Sequence, residues 1–395
     1  MPKLSIEQLE LGAKRIFLRA DLNAPLEGGA VGDDTRLTAA LPTIRYALER
    51  GASVVLASHL GRPKGGPDPK YSLAPVAARM AALLHRPVPL APDCVGAETA
   101  TLAKALEPGA VLLLENLRFH PEEEKNDDGF ARELAALADC YVNDAFAAAH
   151  RAHASIAAIT RHLQPAAAGL LMRSELAALG RILESPQRPL VAILGGAKVS
   201  DKVTLVEHLL ERVNALVIGG GMAFTFLHAL GHGVGRSLLE ADRVETARRV
   251  MEGARKRGVQ LVLPVDVVVA PSLDAPAGRA VGIREIAADQ MGLDIGPRTV
   301  ERFAEVLRGA GTVVWNGPMG VFERPAFAEG TLGVARAVAS GSAFSVIGGG
   351  DTVAAVNQAG VAGRIGYIST AGGAFLEFLE GRALPGVEAL TEAPR

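Results

Sequence analysis

Apolar residues along the chain fall into short runs, many of them β-branched, that alternate with longer stretches of helical periodicity. In the first half, Arg15–Ala20, Ser53–Ser58, Ala110–Glu115 and Cys140–Asn143 read as strands, while Leu37–Arg50, Leu73–His85 and Phe130–Asp139 read as helices. In the second half the strand-like runs are Leu190–Leu194, Asn214–Ile218, Gln260–Leu263, Asp266–Ala270, Thr312–Trp315, Phe344–Ile347 and Tyr367–Thr370, with a helix beginning near Met222. Most runs are apolar throughout, as strands covered on both faces of a parallel sheet are. The βα alternation predicts an α/β fold with parallel sheets, helices on both faces and right-handed crossovers. In such sheets ligands bind outside the carboxyl ends of the strands, so the residues collecting there carry the information.

In the first half those residues are basic: Arg36, His59, Arg62, Arg118, His150, Arg151 and His153 all follow predicted strands. Like charges gathered at one sheet end repel unless an anion compensates them, and guanidinium groups match phosphate and carboxylate by paired hydrogen bonds. The reading is a small polyanion site, with Asp21 and Asn23 placed to orient arginines or meet a substrate hydroxyl. The polar loop Pro63–Tyr71 lies beside it. In the second half the strand ends carry glycines instead: Gly195-Gly196, Gly219–Gly221, Gly317 to Gly320, Gly348–Gly350 and Gly372-Gly373. Glycine permits close backbone approach or positive φ. After Gly196 a helix is expected to restart with Ser200 as N-cap, placing Lys198 and Lys202 one turn apart on the same side. Neither a P-loop motif nor a dinucleotide fingerprint is present, and no His/Cys/Asp cluster has structural-zinc spacing.

Composition narrows the class. A chain of 395 residues is expected to form two domains. Its 49% hydrophobic content, 21% charged content and net charge of −2 fit a well-buried globular protein with no overall attraction to nucleic acid or an anionic membrane. No apolar run is long enough to span a bilayer, and the N-terminus has no apolar signal core. Two cysteines, Cys94 and Cys140, suggest no disulfide framework, so a reducing, cytoplasmic setting is expected. Ser174–Leu183 reads as a helix broken by Ser185–Pro189, a candidate hinge between two bodies.

At this point the residues resemble a known family. Arg19–Pro25 (RADLNAP), Ser58–Pro63 (SHLGRP), Glu115–Phe119 (ENLRF), Val142–Phe146 (VNDAF) with Ala149–His153 (AHRAH), and Leu194–Lys202 (LGGAKVSDK) are similar to phosphoglycerate kinase motifs. So are Gly292–Pro297 (GLDIGP), Trp315–Gly320 (WNGPMG), Gly348–Thr352 (GGGDT) and Leu384–Val387 (LPGV), all in family order. The departures are Ala147-Ala148, where the family usually has Gly-Thr, and Ala371, where glycine is common.

The resemblance implies two Rossmann-like domains joined by a helical hinge: residues 1–172 with the tail 381–395, a connector 173–189, and residues 190–380. It implies that 3-phosphoglycerate or 1,3-bisphosphoglycerate binds at Asp21, Leu22, Asn23, Arg36, His59, Leu60, Gly61, Arg62, Arg118 and Arg151. ADP or ATP, with Mg²⁺, would bind at Lys202, Gly292, Glu323, Gly349, Gly350, Asp351 and Thr352, with Asp351 on the metal. Phosphate moves directly between a substrate carboxylate and the nucleotide, after domain closure. An α-carboxyl with a pKa of about 3.5 is ionised at neutral pH and needs no general base. Catalysis is then expected from Arg36 and Lys202, with backbone N–H groups around Gly349 and Gly373. The enzyme is expected to act as a monomer, without nucleic-acid or membrane partners. Two other classes remain at this stage. A dehydrogenase lacks its fingerprint, and a non-catalytic two-lobed anion- or nucleotide-binding protein leaves the second-half lysines and glycine loops unexplained.

Overall fold

The computed structural model describes residues 3–394, which form two compact units. The first runs to Ala177 and resumes at Ala383; the second is Ala178–Arg382. The division falls inside one continuous helix, Leu170–Leu183.

The first unit is built on five parallel strands: β1 (Arg15–Arg19), β2 (Ser53–Ala57), β3 (Val111–Leu113), β4 (Cys140–Asn143) and β5 (Ala166–Ala168). Their order across the sheet is β3-β2-β1-β4-β5. The chain winds outward from β1 to β3, then returns to the other side of β1. That reversal places a topological switch point between β1 and β4, the place where sheets of this kind bind ligands beyond the strand ends. Ile16, Leu18, Val54, Leu56, Val111, Leu113 and Val142 share one core cluster with Leu37, Ile44, Val76 and Met80 from two helices. Those helices are Thr35–Glu49 and Ala74–Leu84. The intervening strand residues Phe17 and Tyr141 are also fully buried, and their rings stack with centroids 6.1 Å apart. Burial on both faces is why these strands lack alternation in sequence. The chain returning at Ala383 donates the Gly386 N–H to the Ala149 carbonyl (2.8 Å) and the Thr391 N–H to Ala166 (2.9 Å).

The second unit comprises β6 (Leu190–Leu194), β7 (Ala215–Ile218), β8 (Gln260–Val262), β9 (Asp266–Ala270), β10 (Arg279–Gly282), β11 (Met291–Ile295), β12 (Thr312–Asn316), β13 (Phe344–Gly348) and β14 (Tyr367–Ile368). Six of them make a parallel sheet ordered β8-β7-β6-β12-β13-β14, with its own switch point between β6 and β12. The other three depart from the expected βα rhythm and form an antiparallel sheet, β10-β9-β11. Val267 and Val269 of β9 pack with Val281, Phe224 and Leu227 in a separate core, so this segment satisfies its apolar residues away from the large sheet.

Trp315 on β12 is fully buried, and its Nε1–H donates to the Gly317 carbonyl at 2.8 Å, fixing the turn after the strand. Trp315→Phe removes that donor and part of the packed ring. It is expected to destabilise the second unit by about 1–3 kcal/mol in urea unfolding followed by circular dichroism. An unchanged midpoint would contradict this anchoring role.

Candidate functional site

At the β1/β4 switch point the loop after β1 carries Asp21 to Asn23, and side chains from neighbouring strand ends set its shape. Ser58 Oγ accepts the Leu22 N–H (2.9 Å), Asn23 Oδ1 accepts the Gly61 N–H (2.8 Å), and Asn116 Oδ1 accepts the Leu60 N–H (3.1 Å). Asp21 pairs with Arg36 through its second carboxylate oxygen while its first accepts the Asn23 N–H (3.1 Å). Arg118 donates to the Gly61 carbonyl (2.7 Å) and ion-pairs with Glu124 (3.1 Å). Arg62 is exposed, and Arg151 is half-buried with its Nε donating to His150 Nε2 (3.2 Å).

His59 is buried at the centre of this basic surface. Burial, then the charges of Arg19, Arg118, Arg151 and Arg36, push its imidazole well below the usual range. Its Nδ1 faces Arg19 Nη2 at 3.1 Å; a guanidinium only donates, so Nδ1 accepts and the ring proton sits on Nε2. His59 is therefore a neutral hydrogen-bonding group amid arginines. Beneath it Arg19, 1% exposed, donates to Ser155 Oγ (2.9 Å). Ser155 in turn donates its hydroxyl to Glu123 Oε1 (2.6 Å) and its N–H to Oε2 (2.8 Å). Burial works against ionisation of Glu123, but His153, the Arg19 charge and Ser155 outweigh it and hold the carboxyl below its usual range. His153, grouped by sequence with the basic candidates, is turned inward, its Nδ1 3.7 Å from Glu123.

The second unit holds a cavity of about 360 Å³ at the ends of β6, β7, β11 and β12. Its walls include Gly196, Gly220, Phe224, Leu238, Leu273, Gly292, Met319, Glu323 and Asp351. Glycine is required where loops cross: a Cβ on Gly317 (φ +96°) would lie 2.4 Å from the Gly195 carbonyl oxygen, and one on Gly292 would lie 2.0 Å from the Phe224 ring. Gly349, also at φ +96°, precedes the helix Gly350–Gln358, which carries Asp351 exposed in its first turn. The Thr352 hydroxyl accepts the Gly317 N–H (2.7 Å), leaving its own proton to donate. Gly373 opens another short helix, Gly373–Leu379. Lys202 donates to the carbonyl (3.1 Å) and the side-chain oxygen of Asn316. Burial pushes the Lys202 ammonium down to about 8, with Asp201 and Asp351 opposing the shift.

Two local expectations are corrected. Ser200 is not an N-cap: its hydroxyl donates to Glu240 Oε1 (2.6 Å), and Glu240 Oε2 accepts the N–H groups of Val199 (2.5 Å) and Ser200 (3.1 Å). Glu240 lies 40 residues on and has no local signature. Lys198 precedes the 3₁₀ turn Ser200–Lys202 and so shares no helical face with Lys202. Arg19, Ser58 and Asn116 stand inside the quoted motifs but carried no role in the sequence reading, since nothing local shows that they aim inward. The alanine departures fit their backbone: among described residues, positive φ occurs at Gly372 (+55°), not Ala371, and not at Ala147 or Ala148.

Asp294 on β11 lies in the cavity wall and accepts the N–H groups of Gly330 (2.6 Å) and Ile295 (2.9 Å). Burial outweighs these bonds and pushes its carboxyl up to about 7. A folded value above the unfolded one penalises the ionised form. Stability therefore falls as pH rises from about 4 through about 7 and levels off above that, a loss on the order of a few kcal/mol. Asp294→Asn is expected to flatten this slope in denaturation midpoints measured across that range; an unaltered slope would exclude Asp294 as its source.

A family model described as phosphoglycerate kinase matches residues 6–382. The phosphoglycerate kinase of Moorella thermoacetica is 57% identical over 393 residues, covering 99% of this chain and all of that protein. That of Koribacter versatilis is 55% identical over 401 residues, with the same coverage. Among solved structures, phosphoglycerate kinase from Coxiella burnetii superposes with a TM-score of 0.92 at 45% identity, covering 98% of both chains. The enzyme from Pyrococcus horikoshii OT3 gives 0.85 at 37% identity, again covering 98% of both. Likeness that runs end to end in both sequence and fold leaves one assignment: the chain belongs to the phosphoglycerate kinase family.

Proposed function

We propose that the protein catalyses reversible, Mg²⁺-dependent phosphoryl transfer from the acyl phosphate of 1,3-bisphosphoglycerate to ADP, giving 3-phosphoglycerate and ATP. The observation that carries this reading is the arginine cluster around neutral His59 at one switch point. The glycine-walled cavity beside Lys202 at the other supplies the nucleotide half.

In the first unit, Arg62, Arg118 and Arg151 hold the phosphoglycerate anion, and His59 donates from Nε2. Asp21 and Asn23 meet its hydroxyl, and the backbone of Leu22, Leu60 and Gly61 shapes the pocket. In the second, Leu238, Leu273 and Phe224 offer apolar walls for a base, and Glu323 accepts from the ribose. Gly292 lets the base approach closely, and the Gly349–Thr352 turn presents N–H and O–H donors to phosphate. The Asp351 carboxylate is exposed and faces the cavity, an oxygen donor suited to a hard cation. Mg²⁺ arriving with the nucleotide would neutralise phosphate charge there.

The acceptor carboxylate is already ionised, so the protein's task is to align two anions and stabilise charge on the moving phosphoryl group. Arg36 and Lys202 supply that charge, with the N–H groups around Gly349 and Gly373. Transfer follows closure of the two units on their ligands, which keeps water from the labile acyl phosphate. Both subsites come from one chain, which supports action as a monomer, and a net charge of −2 gives no overall attraction to nucleic acid or an anionic membrane. Buried, reduced Cys94 and Cys140 suit a cytoplasmic setting. Among described residues no helix is long and apolar enough to cross a membrane.

ADP formation should require ATP, Mg²⁺ and 3-phosphoglycerate together. Arg36→Ala should lower kcat by about 100- to 1,000-fold with a much smaller change in KM. Turnover without 3-phosphoglycerate would contradict the assignment, and an Arg36→Ala enzyme of normal kcat would remove Arg36 from the moving phosphoryl group. Lys202 generates a second expectation. A polyphosphate beside it restores the charged form, so nucleotide binding should take up protons, most strongly above pH 8, between the free and the raised bound value. Calorimetry in buffers of different ionisation enthalpy measures that uptake. Lys202→Met should abolish it, and its absence from the wild type would remove Lys202 from the phosphate site.

A further inference from the structure

Outside both substrate subsites, the first unit brings Asp93, Cys94 and His120 together. One ligand atom from each lies within 4.8 Å of the others. Sequence spacing does not announce this cluster, because folding closes the distance between the Asp93-Cys94 loop and the turn after Leu117–Phe119. Asp93 Oδ1 and His120 Nε2 are 2.6 Å apart, and the Cys94 thiol donates to the Glu115 carbonyl at 3.0 Å. The segments that carry the donors are tied in place. The Phe130 ring stacks on the imidazole at 4.9 Å, Thr99 Oγ1 donates to the Asp93 carbonyl (3.0 Å), and the Cys94 N–H donates to Asp93 Oδ1 (2.6 Å).

We propose that Asp93, Cys94 and His120 form a binding site for a borderline divalent transition metal of the Zn²⁺ or Co²⁺ kind. A thiolate, an imidazole and a carboxylate make the donor set such ions prefer, with water completing a tetrahedron. Mg²⁺, which prefers oxygen and octahedral geometry, is disfavoured by the sulfur. The partly exposed Asp93 and His120 give the ion access, while Cys94 closes the site from within. On binding, His120 offers Nε2 and keeps its ring proton on Nδ1, the Asp93–His120 contact opens to admit the ion, and the Cys94 thiol proton passes to solvent as the metal–sulfur bond forms. Affinity therefore rises with pH.

The test is a Co²⁺ titration of the full-length protein in excess Mg²⁺, read by absorption. One equivalent should give tetrahedral cobalt bands with a thiolate charge-transfer band. Cys94→Ser should lose that band, and His120→Gln should weaken binding by more than about 100-fold, beyond what loss of an outer partner costs. Zn²⁺ should raise the wild-type melting temperature and leave both variants unmoved. If Cys94→Ser does not fold, His120→Gln decides the matter. Cobalt bands without sulfur charge transfer, displacement by Mg²⁺, or wild-type-like binding in His120→Gln would each overturn the proposal.

Discussion

The first unit depends on how positive charge is held at the β1/β4 switch point before an anion arrives. Arg19 is almost wholly hidden at the end of the central strand, and a buried guanidinium without a partner would cost several kcal/mol. Ser155 and the ionised Glu123 supply the compensation from below. Because Arg19 also occupies His59 Nδ1, it fixes the tautomer, while burial and then the arginine charges keep the ring neutral. Arg36 is steadied separately by Asp21, and Arg118 by Glu124. The arginines are thus arranged before binding, and they need not reorganise when charge moves.

The second unit solves a different problem with the same topology. In the proposed function its crevice admits a flat, partly apolar ligand and brings polar backbone close to phosphate. Glycines at the ends of β6, β7, β11 and β12 remove the side chains that would block those approaches. The loops they leave are tied by buried polar side chains: Thr352 to Gly317, Asn316 to Gly348 and Lys202, Asp294 to Gly330. A flexible composition becomes a fixed cradle because each loop is held from the strand or helix behind it.

Much of this was legible in the sequence. Strands buried on both faces announced themselves as unbroken apolar runs, and Cys140–Asn143, Leu190–Leu194 and Asp266–Ala270 coincide with the observed elements. The family motifs carried the assignment. What escaped was whatever depends on distant partners. The antiparallel sheet β10-β9-β11 was missed because β9 shows the same valine run whichever way its neighbours point. Glu240 caps the Val199-Ser200 turn from 41 residues beyond Val199, and Glu123 reaches Arg19 through Ser155, which lies 32 residues from Glu123 and 136 from Arg19. Ala166–Ala168 was passed over because three alanines favour helix locally, yet β4 recruits them as an edge strand.

In the proposed mechanism, preorganised charge moves the phosphoryl group directly, with no enzyme nucleophile. The lone-pair nitrogen of His59, Nδ1, is occupied by Arg19 and its Nε2 carries the ring proton, so the ring offers no free nucleophile. The most direct test is the stereochemical course at phosphorus, using ATP made chiral at its terminal phosphoryl group with oxygen isotopes. A single in-line transfer to 3-phosphoglycerate inverts that centre. Retention would require two displacements through a covalent intermediate and would contradict the account.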